Sequence, residues 1–327
     1  MWGRGEESLA FSLAQSGKGS VMDAAKDNDR EKLAERTGGR EKRRRQPRGA
    51  VKSLISAVRM TERDVWILEA LTKMRFLTTS QMAQLFFDGS QWSANKRLRR
   101  LFDAGVVQVW MRSLAQENVY SVTQRGLQLL AEQEEDTDNG GIAPRGLDGN
   151  LDHLLAINQV RIALALALPT IGAELTWWRS DWELRAHGRE RIIPDALFGI
   201  GWEQDSAQAV ALEVDNHTKS PRKFVQKILA YTSRRQQHRG LYGLSDMVVL
   251  VVGRDPYWVE RYRLGLETIR VDEWVWCTTW QAISNPGMLA PIWHPPGDAH
   301  CYSLQELKSL PYGKEGSSHA TPALPGA

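Results

Sequence analysis

The run Met247-Val-Val-Leu-Val-Val252 has no polar face. A strand with one wet side alternates apolar and polar residues. A continuous apolar run belongs instead to a strand covered on both sides, as at the centre of a parallel α/β sheet. The second half of the chain has to supply that cover. Residues 151–168 carry Leu154, Leu155, Ile157, Val160, Ile162, Leu164 and Leu168 at helical spacing, and Pro169 ends the run. His153 and Asn158 are its polar exceptions, and a histidine there reads as a satisfied core or boundary residue. Residues 175–179 and 182–185 read as a strand pair, 191–200 and 209–214 as further strands, and 274–278 as the last. Pro221 and Asp255-Pro256 open helices that run to about residues 237 and 269. Short connections make the early strands antiparallel, and helical connections make the later ones parallel. The expected fold class is α/β (α+β overall), with a mixed sheet flanked by helices over residues 151–285. Residues 286–327 are rich in Pro, Gly and Ser and are expected to form an extended, disordered tail.

Within this domain lie Arg191-Ile-Ile-Pro-Asp195, then Ala211-Leu-Glu-Val-Asp215, then a basic helix bearing Lys227 and Tyr231. Strands disfavour Asp and Glu, and burying a charge is costly unless it is paired or holds a metal. Asp195, Glu213 and Asp215 on neighbouring strands make a hard oxygen-donor set suited to Mg2+ or Mn2+. The plainer alternative is that Asp195 ends a strand while Glu213 and Asp215 pair with local arginines. Lys227 and Tyr231 are four apart and share one helical face. Arg222, Lys223 and the run Arg234-Arg235-Gln-Gln-His238-Arg239 suit a phosphate backbone. Tyr231 carries two readings, a core hydrogen bond or attack on phosphate.

A second pattern occupies residues 55–135. Thr61-Glu-Arg-Asp64 caps a helix whose apolar face is Val65, Ile67, Leu68 and Leu71. Thr78-Thr-Ser-Gln81 starts a short helix with Met82, Leu85 and Phe86 inward. A third helix, over 92–102, buries Leu98 and Leu101, and Gly105 follows its end. Two β-rich runs, 106–111 and 118–122, make a hairpin, and a last helix follows over 127–134. Three helices and a β-wing in this order read as a winged helix-turn-helix that sets its third helix in the major groove of double-stranded DNA. Trp92, Ser93 and Asn95 are expected at base edges, with Lys96, Arg97, Arg99 and Arg100 on phosphates. A solvated basic face or a protein-contact module is the plainer alternative. Residues 136–150 are an acidic, glycine-rich linker.

The first fifty residues hold enough excess Lys and Arg to account for the whole net charge of +3. Residues 1–54 therefore read as a disordered basic tail, with Lys42-Arg-Arg-Arg45 as an arm for phosphate. The two cysteines, Cys277 and Cys301, fit neither a metal spacing nor a disulfide framework, which favours a reducing cytoplasm. No apolar run is read as long enough to span a membrane. Thirteen tryptophans, among them Trp177, Trp178, Trp258 and Trp293, leave room for an interface with other DNA-processing proteins.

The order of elements in 151–285 resembles the PD-(D/E)XK restriction-endonuclease-like core, with Pro194-Asp195 and Glu213 as its acidic elements. The family pattern places lysine two residues after that Glu, where this chain has Asp215. Some members carry the lysine on the following helix, and Lys227, with Lys223 as a fallback, matches that position. More closely, 55–285 resembles the replication-relaxation proteins, which include MobC-type plasmid-mobilisation relaxases. The matching pieces are the winged helix, His153-Leu-Leu-Ala-Ile-Asn158, Pro194-Asp195, Leu212-Glu-Val-Asp215 and the Lys227–Tyr231 segment. The resemblance implies a DNA nicking or relaxation protein of a mobile genetic element, with Asp195, Glu213 and Asp215 on Mg2+ and Lys227 and Tyr231 at the reacting phosphate. The departure at Asp215 also admits a non-catalytic DNA-binding regulator or a replication accessory with a degenerate nuclease fold.

Overall fold

The computed structural model describes residues 60–132 apart from 114, residues 143, 144 and 146, and residues 150–309 apart from 188–189, 203–206, 217–219, 236–240, 245–246, 270 and 272–273. The expected basic tail, most of the expected linker, the Arg235 side chain, His238, Arg239 and residues 310–327 lie outside the described residues. The chain divides between Arg145 and Gly146 into two compact units.

The first unit runs α1 Glu62–Met74, β1 Leu77–Thr78, α2 Thr79–Phe86, α3 Gln91–Asp103, β2 Val107–Trp110, β3 Val119–Val122 and α4 Gln124–Ala131. Its helices start at side chains that satisfy the open amides of the first turn. Thr78 and Gln81 cap α2 reciprocally, at 3.0 and 3.2 Å. Ser90 caps α3 through the Ser93 amide, and Thr123 caps α4 through the Gly126 amide. Gly105 has φ +73° just past α3, a left-handed turn that a Cβ would strain. Ile67, Leu68, Leu71, Met82, Leu85, Ala94, Leu98 and Leu101 close the core, and every residue of β3 is buried. The sheet has order β1-β3-β2, all antiparallel.

The second unit runs α5 Leu151–Ala167, β4 Ala173–Ser180, α6 Asp181–His187, β5 Ala196–Trp202, β6 Gln208–Asp215, α7 Pro221–Arg235, β7 Val248–Gly253, α8 Pro256–Glu267, β8 Val275–Thr279 and a short α9 Trp280–Ala282. The sheet order is β4-β5-β6-β7-β8. The first two pairings are antiparallel and the last two parallel. Strand β7 is buried along its whole length and divides by parity. Val248, Leu250 and Val252 join Ile157, Val160 and Leu164 of α5. Val249 and Val251 join Phe224, Ile228, Val259 and Tyr262 of α7 and α8. Each such buried aliphatic side chain contributes roughly 1.5–3 kcal/mol, and two helical layers are what the unbroken apolar run required.

Four expectations are corrected here. Residues 182–185 are helical: Glu183 accepts from the Ser180 amide at 2.7 Å and Arg185 pairs with Asp181 one turn back at 3.3 Å, so local capping outweighs strand pairing. Strand β5 starts at Ala196, not Arg191, since Pro194 has no amide to give the ladder. Residues 286–309 are no loose tail: Met288, Ile292, Trp293, Leu304 and Leu307 are buried in the α5-side core. Leu151–Ile171 does have the length and hydropathy to cross a membrane, but Ile157, Val160, Leu164 and Leu168 pack in that same core.

Candidate functional site

Strand parity decides which carboxylates can meet. Glu213 and Asp215 share a face of β6 with Ala211, beneath α7 and α8, while Leu212 and Val214 face the opposite core. Asp195 stands one residue before β5 and pairs across to the same end of β6, its amide donating to the Leu212 carbonyl at 3.0 Å. Its Oδ2 accepts from the Val214 amide at 2.8 Å. Its Oδ1 lies 3.2 Å from Nε2 of His153, in the first turn of α5. Asp195 is thus fixed by a strand and a helix from different parts of the chain.

Glu213 is 2% exposed. The Lys227 ammonium lies 2.6 Å from its carboxylate, and the Tyr231 hydroxyl donates to it at 2.7 Å. Lys227 and Tyr231 are successive residues on the inward stripe of α7, so one helix face presents both to one strand residue. The two acids differ sharply. Burial opposes ionisation of Asp195, but the hydrogen bond and charge of His153, the charge of Lys227 and the Val214 amide together hold it below its ordinary value. Burial, then the neighbouring Asp195 charge, push Glu213 up to about 7, against the pull of Lys227 and Tyr231. Burial and the Glu213 charge raise the Tyr231 phenol well above its usual range, so it remains a proton donor at neutral pH. A pair of acids driven apart in this way keeps one ionised and the other able to exchange a proton near neutrality.

Asp215 does not join them. Its carboxylate accepts from the hydroxyl of Tyr262 on α8. Among the described residues, no group of three or more His, Cys, Asp or Glu side chains is arranged to hold a metal ion. The expected three-carboxylate cluster is therefore corrected to a pair, Asp195 and Glu213. A pair still fits Mg2+, which is commonly held by one or two carboxylates with water and substrate phosphate completing the shell. Arg222 and Lys223 are exposed on the first turn of α7. Arg234 pairs with Glu190 at 3.1 Å.

In the first unit, α3 buries Ala94, Leu98 and Leu101 and turns Trp92, Asn95, Lys96, Arg99 and Arg100 outward. Trp92 is 71% exposed, and the Lys96 ammonium sits 4.8 Å from the centre of its ring. Arg99 pairs with Asp103 at 3.1 Å. Ser93 is half-buried and holds the Ser90 cap. Arg97 departs from expectation: its guanidinium forks onto Asp64, which is fully buried in α1, so it stitches two helices together instead of facing a phosphate. Trp177, Trp178 and Trp293 are buried and Trp258 is half-buried, which removes the first three as interface residues.

Two residues escaped the sequence reading. His153 reads as a polar break in an apolar helix and as the start of the family-like segment His153–Asn158, and neither reading assigns it to Asp195. Tyr262 gave no signal, because its contact depends on how α8 docks against β6.

A family model described as replication-relaxation matches residues 68–245, more than half of the chain. No curated protein and no solved structure matches.

Proposed function

The chain belongs to the replication-relaxation family, and from that premise we propose that it binds double-stranded DNA and nicks it during the replication or mobilisation of a mobile element in the bacterial cytoplasm. The first unit serves as a winged helix, with α3 in the major groove, and the second as a nuclease of the PD-(D/E)XK type. The observation that carries the reading is the Lys227 ammonium 2.6 Å from Glu213, in a buried cluster whose other acid is Asp195.

In this mechanism Asp195 and Glu213 would hold Mg2+ or Mn2+, and the ion would supply polarisation of the scissile phosphate and a more acidic water. Asp195 is kept ionised for that task by His153 and the Val214 amide. Lys227 neutralises charge gathering on the phosphate oxygens as the bond breaks. Tyr231 orients Glu213 through its hydroxyl. The same phenol is a poor nucleophile while burial and Glu213 keep it protonated, so the favoured attacking group is water. Arg222 and Lys223 hold the backbone beside the pocket.

The test is conversion of supercoiled plasmid to nicked circle with Mg2+ or Mn2+. Asp195→Ala and Glu213→Ala are each expected to abolish it. A second reading has its own support: Asp215, where the nuclease pattern has lysine, is engaged with Tyr262. In that reading the protein is a DNA-binding regulator or assembly factor. DNA that stays intact with every divalent metal, while duplex binding persists, would select it.

A further inference from the structure

Parallel strands β6 and β7 end side by side, Asp215 opposite Gly253. The Asp195–Glu213 pair lies at this edge of the sheet, and α7 and α8 both begin from it. The two helices touch through Phe224 in the first turn of α7 and Tyr262 in the second turn of α8, whose ring centres are 4.4 Å apart. The outward side of this edge is unusual in composition. Arg222 and Lys223 on the first turn of α7 and Arg254 just before α8 are exposed, and Tyr257 on the first turn of α8 is 61% exposed.

Tyr257 is exposed but held. Arg261, one turn later on α8, donates to its hydroxyl at 2.9 Å and lies 5.6 Å from its ring centre. The same guanidinium lies 6.0 Å from the Trp258 ring, which meets Tyr257 edge-on at 5.8 Å. The nearby acids are engaged: Asp255 caps α8 through the Tyr257 amide at 2.7 Å, and Glu260 pairs with Arg263 at 2.8 Å. An aromatic ring fixed in water has lost side-chain freedom before any ligand arrives, which lowers the entropy cost of binding.

We propose that this Tyr257–Arg261 surface binds single-stranded DNA, stacking an unpaired base on Tyr257 while the surrounding cations hold the backbone. Charge and ring together choose the occupant. Four cations suit a polyanion, and a free ring face suits a base. Duplex bases are already stacked on one another and offer the ring no face. The surface would receive strand opened beside the carboxylate pair, so the inference rests on the DNA-processing reading of that site.

The experiment is fluorescence anisotropy on the full chain, with a labelled oligothymidine of about 12 nucleotides, within the span of known single-strand grooves. A hairpin duplex is the comparison, and a metal chelator is present throughout. Tyr257→Ala is expected to weaken oligothymidine binding about 5- to 100-fold, the range that loss of one stacking aromatic produces. Tyr257→Trp keeps the affinity, and duplex affinity is unchanged in both. Thermal unfolding confirms that Tyr257→Ala folds, as an exposed ring allows. Absence of oligothymidine binding by the wild-type chain, no change in Tyr257→Ala, or equal loss on single strand and duplex overturns the proposal. Nothing is cut in this assay, so its outcome is separate from the nicking test. Nicking lost in Asp195→Ala alongside unaltered binding in Tyr257→Ala refutes this surface alone.

Discussion

Glu213 on β6 and Asp195 just before β5 lie on neighbouring segments of the sheet, yet they answer pH in opposite senses. Glu213 has a folded-state value near 7 against an ordinary 4.5. A group raised in this way gives stability that is complete below about pH 4.5 and lost as pH climbs through 7. Asp195 is lowered, so its contribution is present above its ordinary value of 3.8 and is lost only as pH falls through the folded value. Glu213→Gln removes the first dependence and keeps the second. Its melting temperature relative to wild type is therefore expected to rise steadily from pH 4.5 to 7 and to level off above. A flat difference across that window in calorimetry would show that Glu213 titrates normally. Tyr231→Phe tests the neighbouring bond. Losing a hydrogen bond to a charged, buried acceptor costs about 1.5–3 kcal/mol, to be read from the urea midpoint. Metal-dependent nicking is expected to survive in part, because in the proposed mechanism water, not the phenol, attacks. Complete loss of cleavage in a folded Tyr231→Phe protein, with a covalent protein–DNA adduct in wild type, would reverse that assignment.

Among the elements, α1 and α3 are joined by a buried ion pair whose failure should be severe. Asp64 is fully buried and is held in place by Arg97 and by the Thr61 cap. Arg97→Met leaves that carboxylate without its counter-charge, with an expected cost of about 3–5 kcal/mol, and Asp64→Leu added to it should recover most of the loss. Denaturant midpoints of the two variants measure this directly. At the far end of β7, a Cβ on Gly253 would stand 2.3 Å from a methyl of Val259 in α8. Gly253→Ala must therefore push α8 outward, at about 1–3 kcal/mol. It should also disturb the Tyr262 contact to Asp215. These examples show which parts the sequence announces. Helix starts at Thr61 and Thr78 are legible because a cap needs residues only three apart. The two-sided burial of β7 is legible because each of its residues is apolar. The inward turn of Arg97 is not, since an arginine on a basic helix looks the same whether Asp64 or solvent faces it. Residues 182–185 fail for a related reason: alternation over four residues fits a strand, and a Glu183–Ser180 cap decides for helix only in place. His153 reaches Asp195 from far along the chain, a pairing that periodicity does not encode.

For the molecule as a whole, salt dependence tests the proposed duplex binding and separates the contributions of the two units. Each phosphate neutralised by a cation adds about 0.9 to the slope of log affinity against log salt, because one condensed counterion is released. On α3, Lys96 and Arg100 are exposed, so Lys96→Ala should lower the slope by about 1. Arg97→Met should leave it unchanged in the folded fraction, its guanidinium being committed to Asp64. Arg222 and Lys223 belong to the second unit and are exposed there. If that unit grips the duplex that α3 reads, the double variant Arg222→Ala/Lys223→Ala lowers the slope by about 2. If the second unit acts on DNA only in a separate, transient step, the slope stays at the wild-type value while nicking falls. Titrations of one duplex at several salt concentrations, on the full chain in chelator, give the slope without interference from cutting. An unchanged slope in both Lys96→Ala and the double variant would remove duplex binding from these two helices altogether.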